Sequence, residues 1–231
     1  GYFMFEALEA RSKLPMVGYK APDFEAKTTF GDMKLSDLEG RWVVFFCHPS
    51  DFTPVCTTEF IAFARYYPYF LQRNVQLLGL SVDSTYSHLS WVYNIYKNTG
   101  IEILFPIIAD RSMEISKLYG MISHAVSDTS TIRSVFIIDD KQVIRTVLHY
   151  PQTIGRCIPE ILRIVDALQT SDREKVATPA NWVPGAPVVL PAPDTYEKLK
   201  ERIKNPSGYN CMDWYLCTKP DKGLPVPEKK Q

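Results

Sequence analysis

Nowhere in the 231 residues do two cysteines stand as Cys-x-x-Cys, which removes the redox signature of a thioredoxin-type oxidoreductase. The five cysteines are an odd number spread over a chain of ordinary size, so the even disulfide framework of a small secreted domain is missing as well. Cys47, His48 and Cys56 lack the second close ligand pair at finger spacing that a structural zinc site needs. No apolar run approaches the roughly 18 residues that span a bilayer. Lys+Arg and Asp+Glu both number 26, leaving no net charge to draw the chain to nucleic acid or an anionic membrane, and neither is expected as a partner. Gly1-Tyr-Phe-Met-Phe5 is apolar but runs into Glu6, Glu9, Arg11 and Lys13, without the basic start and long apolar stretch of a signal peptide. These features read as a cytoplasmic protein with a short N-terminal extension over 1–14. Cysteines in a reducing cytosol are buried, metal-bound or catalytic.

What is present is an alternation of strand and helix. Trp42–Phe46, Val75–Val82 and Ser134–Ile138 are short apolar, β-branched runs of the kind that form buried strands, too far apart for hairpins. Between them, Phe60, Phe63 and Tyr67 share one helical face, and Leu89, Val92 and Tyr96 are expected to share another. The polar turn after Ile138 predicts a hairpin between strands near 134–138 and 143–149. Ile154–Leu168 reads as an amphipathic helix. The expected class is α/β, a layered mixed sheet, over a domain spanning 15–170. From Ser171 the composition shifts, with Pro179, Pro184, Pro187, Pro191 and Pro193 crowded together. Proline donates no amide hydrogen and suits no sheet centre. Residues 171–231 are therefore expected to form an extended arm with a short helix at Tyr196–Ile203. Trp214, Tyr215 and Leu216 would anchor it on a neighbouring subunit.

The chemistry gathers around Cys56. Pro54 suits a first helical turn, and an apolar-periodic run follows, which places Cys56 where unpaired amides and the helix dipole favour thiolate over thiol. Thr53 can both accept and donate a hydrogen bond, as a hydroperoxide held by one oxygen would require. A helix terminus alone is too weak to hold a thiolate at neutral pH, and an arginine is the natural supplement.

The segment Phe46-Cys-His-Pro-Ser-Asp-Phe-Thr-Pro-Val-Cys-Thr-Thr-Glu59, with its Pro49-x-x-x-Thr53-x-x-Cys56 core, resembles the active-site signature of peroxiredoxins. The likeness continues through Gly18–Phe24, Leu80–Asp83, Phe105–Asp110, Thr131–Phe136 and Gly155-Arg156, and covers roughly 15–231. Order and lengths are similar to the one-cysteine, peroxiredoxin-6-like branch, whose fold is thioredoxin-like with a smaller C-terminal domain. The resemblance implies a peroxidatic Cys56, a Thr53 that binds the peroxide, a Pro49 that shields it from water, and an Arg133 beside thiolate and substrate. Arg156 would be a second active-site arginine. The implied reaction takes hydrogen peroxide or organic hydroperoxides to water or alcohol through a cysteine sulfenic acid, in antioxidant defence, with no metal, haem or flavin. The implied partners are a thioredoxin-like or other dithiol reductant and further copies of the chain, as dimers assembled into a decamer.

Cys211 and Cys217 resemble the paired C-terminal cysteines of archaeal members, which resolve the sulfenic acid. Cys217 would be the likelier resolving thiol, the bond would run between subunits, and Cys211 would join by exchange. The plainer alternative makes both small buried apolar residues, as expected for Cys47 and for Cys157 on the amphipathic helix. His48 either supports the site or is merely packed and hydrogen-bonded. Glu59 either orients active-site groups or merely favours a helix N-terminus. The lipase activity of some relatives is not carried over, because Thr29-Phe-Gly31-Asp-Met33 has no serine where Gly-x-Ser-x-Gly would need one. Gly-Gly-Leu-Gly and a C-terminal Tyr-Phe, the marks of easily overoxidised members, are absent, which implies resistance to hyperoxidation. A holdase chaperone or a peroxide-sensing relay is the alternative function.

Overall fold

The computed structural model describes residues 2–4, 14–205 and 207–221. The expected extension over 1–14 lies mostly outside the described residues. The chain divides into two compact units, residues 1–158 and 159–231.

The first unit is built on seven strands: β1 (Glu25–Thr28), β2 (Gly31–Lys34), β3 (Trp42–Cys47), β4 (Val75–Ser81), β5 (Ile107–Ala109), β6 (Arg133–Ile138) and β7 (Ile144–Tyr150). They lie in the order β2-β1-β5-β4-β3-β6-β7. β3, β4 and β5 run parallel, while β6 is antiparallel to β3 and β7 returns on β6 as the expected hairpin. Every residue of β3, β4 and β6 is buried, which is why these segments read as continuous apolar runs rather than alternating ones. The core on one face includes Leu35, Phe45, Leu78, Tyr119, Phe136 and Ile138.

Helix α1 (Pro54–Gln72) starts behind Thr53, whose extended backbone ends the loop, and Pro54 occupies the first turn. Its buried face is Cys56, Glu59, Phe60, Phe63, Tyr67 and Phe70, as the spacing predicted from Phe60 onward. Helix α2 (Thr85–Thr99) is capped by Ser84, which accepts from the Ser87 amide, and ends at Gly100 in the left-handed region with φ +72°. Its inward face is not the expected one. His88, Trp91 and Ile95 are buried, whereas Leu89 and Tyr96 are exposed. Trp91 packs on Phe60 with ring centroids 4.6 Å apart, and the hydrogen bonds of His88 draw that residue inward against its polarity. A short helix, α3 (Glu114–Leu118), follows β5.

Helix α4 (Ile158–Glu174) belongs to the second unit except for its first residue, so the amphipathic helix begins later and runs further than expected. Cys157 precedes it and is exposed, not packed on its apolar face. Beyond it come β8 (Val188–Val189), α5 (Tyr196–Lys204), β9 (Asn210–Asp213) and β10 (Leu216–Lys219). The three strands form a small sheet in the order β8-β10-β9. The prolines flank β8, which is an edge strand, where a missing amide hydrogen costs least. Val176, Trp182 and Val188 are its buried centre, and the Trp182 indole donates to the Ala186 carbonyl at 2.9 Å. Trp214 and Tyr215 are exposed on the turn between β9 and β10. Among the described residues no helix is long and apolar enough to cross a membrane.

Candidate active site

The site forms at the carboxyl end of the central parallel strands, where open α/β sheets place their ligands. β3 ends at Cys47, residues 48–53 form a loop, and α1 carries Cys56 as its third residue. The antiparallel register pairs Phe46 with Val135, which brings the first residue of β6, Arg133, alongside the loop just past the end of β3. Sequence neighbours and a residue 77 positions away thus meet for a topological reason.

Cys56 is fully buried. The Arg133 Nη1 donates both to Cys56 Sγ at 3.1 Å and to Glu59 Oε1 at 2.6 Å, while its Nε donates to the Gln152 carbonyl at 2.8 Å. Gln152 is fixed in turn by donating to the Thr131 carbonyl. Arg156 grips the other side of Glu59: Nε to Oε2 at 2.6 Å, Nη2 to Oε1 at 2.9 Å, and its backbone N–H to Oε2 at 2.9 Å. Arg156 Nη1 donates to the carbonyls of Cys47 and Ser134, and its guanidinium lies over Phe46. Burial pushes the Glu59 carboxyl up, but the hydrogen bonds and charge of Arg156, with Arg133 behind them, outweigh it and hold Glu59 below the usual carboxylate range. Glu59 is therefore no helix-terminus ornament; it ties both arginines to the helix that carries Cys56.

Two guanidinium groups and one carboxylate leave one positive charge in surplus beside Cys56 Sγ. The guanidinium of Arg133 thus faces the Cys56 sulfur directly. Cys47 makes different contacts. Its Sγ donates to the Ile132 carbonyl at 3.0 Å, and burial pushes its thiol up despite Arg156 nearby. It is a core thiol, as expected.

Thr53 Oγ1 donates to the Ser50 carbonyl at 2.6 Å. Its one proton is committed, so toward a ligand it can only accept, which narrows the sequence reading. Pro49 is half-buried on the same loop. His48 is fully buried, and its Nε2 lies 2.6 Å from Asp51 Oδ1 while Nδ1 has no partner. Burial lowers the pKa of His48 although the Asp51 hydrogen bond and charge oppose it, which leaves the ring neutral. Asp51 and His88 escaped the sequence reading. Asp51 lies inside the signature without a periodic or spacing cue to its role, and His88 sits on a different helix.

Cys211 and Cys217 face each other across β9 and β10 and are joined as a disulfide. Cys211 is exposed and Cys217 buried, so the plain reading of two buried apolar residues does not hold.

An acceptor hydroxyl, a guanidinium donor and a buried sulfur that accepts from that guanidinium can bind a small O–H compound and bring it to the sulfur. Comparison with known proteins agrees. The AhpC/TSA family model matches residues 17–147, and that for the C-terminal domain of 1-Cys peroxiredoxin matches 167–205. Peroxiredoxin 2 of Caldanaerobacter subterraneus subsp. tengcongensis is 63% identical over 216 residues, covering 93% of this chain and 98% of the relative. A peroxiredoxin of Aquifex aeolicus is 56% identical over 217 residues, 89% of this chain and 97% of the relative. Among solved structures, the yeast mitochondrial 1-Cys peroxiredoxin superposes with a TM-score of 0.80 at 39% identity, covering 90% of this chain and 100% of that one. A cysteine-to-serine mutant of the peroxiredoxin 6 of Arenicola marina gives 0.78 at 34% identity, covering 89% and 97%. The fold is thus thioredoxin-like, and the chain belongs to the peroxiredoxin family, enzymes that act as thiol peroxidases.

Proposed function

We propose that Cys56 is the peroxidatic nucleophile and that Arg133, Thr53 and Pro49 are its immediate helpers. The observation that carries this reading is the 3.1 Å contact from Arg133 Nη1 to Cys56 Sγ, inside a buried cluster with one positive charge in surplus. The thiolate attacks the distal oxygen of the hydroperoxide, the oxygen–oxygen bond breaks, and sulfur is oxidised to sulfenic acid. The hydroperoxide's own proton passes to the leaving oxygen, which departs as water or alcohol, and the sulfenate left on Cys56 takes a proton from solvent to become the sulfenic acid. Thr53 Oγ1 accepts from the bound peroxide, Arg133 stabilises charge on the departing oxygen, and Pro49 keeps water off. Arg156 and Glu59 position Arg133, and His48 closes the pocket behind the loop.

The second half of the cycle uses the tail. Cys217 attacks the Cys56 sulfenic acid of a neighbouring subunit and releases water, giving a disulfide between subunits. Cys211 then displaces Cys56, leaving the Cys211–Cys217 pair for a thioredoxin-like dithiol to reduce. The cross-strand pairing of these two cysteines supports this order, since they are already partners in the ladder. The proposed setting is a cytoplasmic antioxidant assembly of dimers in a decamer. Peroxide consumption by the purified protein with a dithiol reductant tests the first half. Cys56→Ser is expected to abolish it, and undiminished turnover by that variant would sink the assignment.

A further inference from the structure

Behind the loop that bears Pro49 and Thr53 lies a buried polar cluster that makes no contact with the Cys56 sulfur among the hydrogen bonds described above. Asp51 is at its centre: His48 Nε2 lies 2.6 Å from Oδ1, His88 Nδ1 lies 2.6 Å from Oδ2, and Ser87 Oγ donates to Oδ2 at 2.9 Å. The Asp51 backbone N–H donates to Asp83 Oδ2 at 2.9 Å, and Ser81 Oγ donates to the same oxygen. Both histidines are fully buried.

The ring of His88 decides the proton count. Its Nε2 lies 3.0 Å from the Ile108 carbonyl oxygen, which can only accept, so Nε2 carries hydrogen. A neutral ring would then turn the Nδ1 lone pair toward a carboxylate oxygen at 2.6 Å, two acceptors in contact. One more proton must lie between them. Asp51 already accepts from the Ser87 hydroxyl on that same oxygen and faces His48 Nε2 with the other, a setting built for a carboxylate, so the proton rests on the imidazole. His48 needs no extra proton, because its Nδ1 is free of partners and Nε2–H alone satisfies Asp51.

We infer that His88 is a buried imidazolium which, through Asp51, positions the 48–53 loop and so sets where Thr53 meets a peroxide held at Cys56. Three restraints on Asp51 anchor this loop to α2 and to the turn after β4: the His88 ion pair, the Ser87 hydroxyl and the Asp83 carboxylate. The loop needs anchoring, since Phe52 beside Asp51 has φ +60°, a conformation that costs a bulky residue energy and persists only when its surroundings enforce it. His88 and Asp51 are positioning residues, and the inference rests on Cys56 being the nucleophile.

Nitrogen-15 spectra of the reduced wild-type protein at pH 7 should show hydrogens on both ring nitrogens of His88 and only on Nε2 of His48. An unprotonated His88 Nδ1, or stoichiometric zinc or iron retained by the purified protein and shifting that resonance, would overturn the charge assignment. In Asp51→Asn, the rate of Cys56 oxidation by hydrogen peroxide should fall about ten- to a hundredfold, with the thiolate absorbance of Cys56 as in wild type because Arg133 and Glu59 are untouched. His88→Gln, with wild-type circular dichroism, should show the same split. An unchanged rate in either folded variant removes the positioning role. Peroxide turnover by Cys56→Ser would instead indict the nucleophile and leave the nitrogen-15 result standing.

Discussion

Arg133 is asked to do two things with one nitrogen, and the geometry says which is more exposed to loss. Glu59 keeps Arg156 if Arg133 is removed, but Cys56 Sγ loses the guanidinium that donates to it. Arg133→Ala is therefore expected to reduce the thiolate absorbance of Cys56 at neutral pH and to slow its reaction with peroxide by roughly a hundredfold or more. Stopped-flow oxidation of the reduced protein reads both, and a variant that loses neither would remove Arg133 from the chemistry. The same cluster predicts acid behaviour. A carboxyl held low in the folded state adds stability that is fully present above its unfolded pKa, about 4.3 for glutamate, and is lost as pH falls through the folded value. Glu59 and Asp51 are both of this kind. The urea midpoint should drop steeply below about pH 4.3, and Glu59→Gln, less stable at pH 7, should show a shallower drop. Of these residues, Cys56, Thr53 and Pro49 were legible because they lie in one short motif. Arg133 and Arg156 came only through family resemblance, and no composition or spacing reveals that two distant arginines share one carboxylate.

Helix faces show where periodicity alone fails. On α2 the stripes Leu89, Val92, Tyr96 and His88, Trp91, Ile95 have the same three-to-four spacing and differ by one residue, about 100° of rotation. Hydrophobicity favours the first stripe. The fold buries the second, because Trp91 fills space against Phe60 and the partners of His88 lie on the sheet side. Strands fared better: β3, β4 and β6 are buried on both faces, and a continuous apolar run is a signal with few rival readings. The contact between α1 and β4 is tight enough to test. A Cβ built on Gly79 would stand 3.2 Å from Phe60 Cζ and 3.5 Å from the Phe46 ring. Neither ring is a flexible end, and Phe46 stacks on Phe63 at 4.0 Å. Gly79→Ala should cost about 1–3 kcal/mol, read as a lower urea midpoint with an unchanged slope, whereas a neutral result would mean that α1 can lift from the sheet freely.

At the scale of the molecule, the two units divide the labour of the proposed cycle, one holding Cys56 and the other Cys211 and Cys217. The sequence disclosed a change of character near Ser171 through its prolines, but not the small sheet that those prolines border, because two- and four-residue strands carry almost no periodic signal. It also left open what the paired cysteines do, since a resolving thiol and a buried small residue look alike in a string. Cys56 Sγ is fully buried, so a disulfide with it requires the start of α1 to open. The order of exchange then fixes what each variant traps. Cys211→Ser, treated with one equivalent of hydrogen peroxide, should accumulate the Cys56–Cys217 bond and run as a covalent dimer on a non-reducing gel. Cys217→Ser should leave Cys56 as sulfenic acid, with its first oxidation as fast as wild type and its turnover with a dithiol lost. A Cys211→Ser protein that stays monomeric, with Cys56 and Cys217 joined within one chain by mass spectrometry, would move the resolving step inside the subunit. If Cys217→Ser kept full turnover, the tail would have no part in the cycle, and the Cys211–Cys217 bond would be only a staple across β9 and β10.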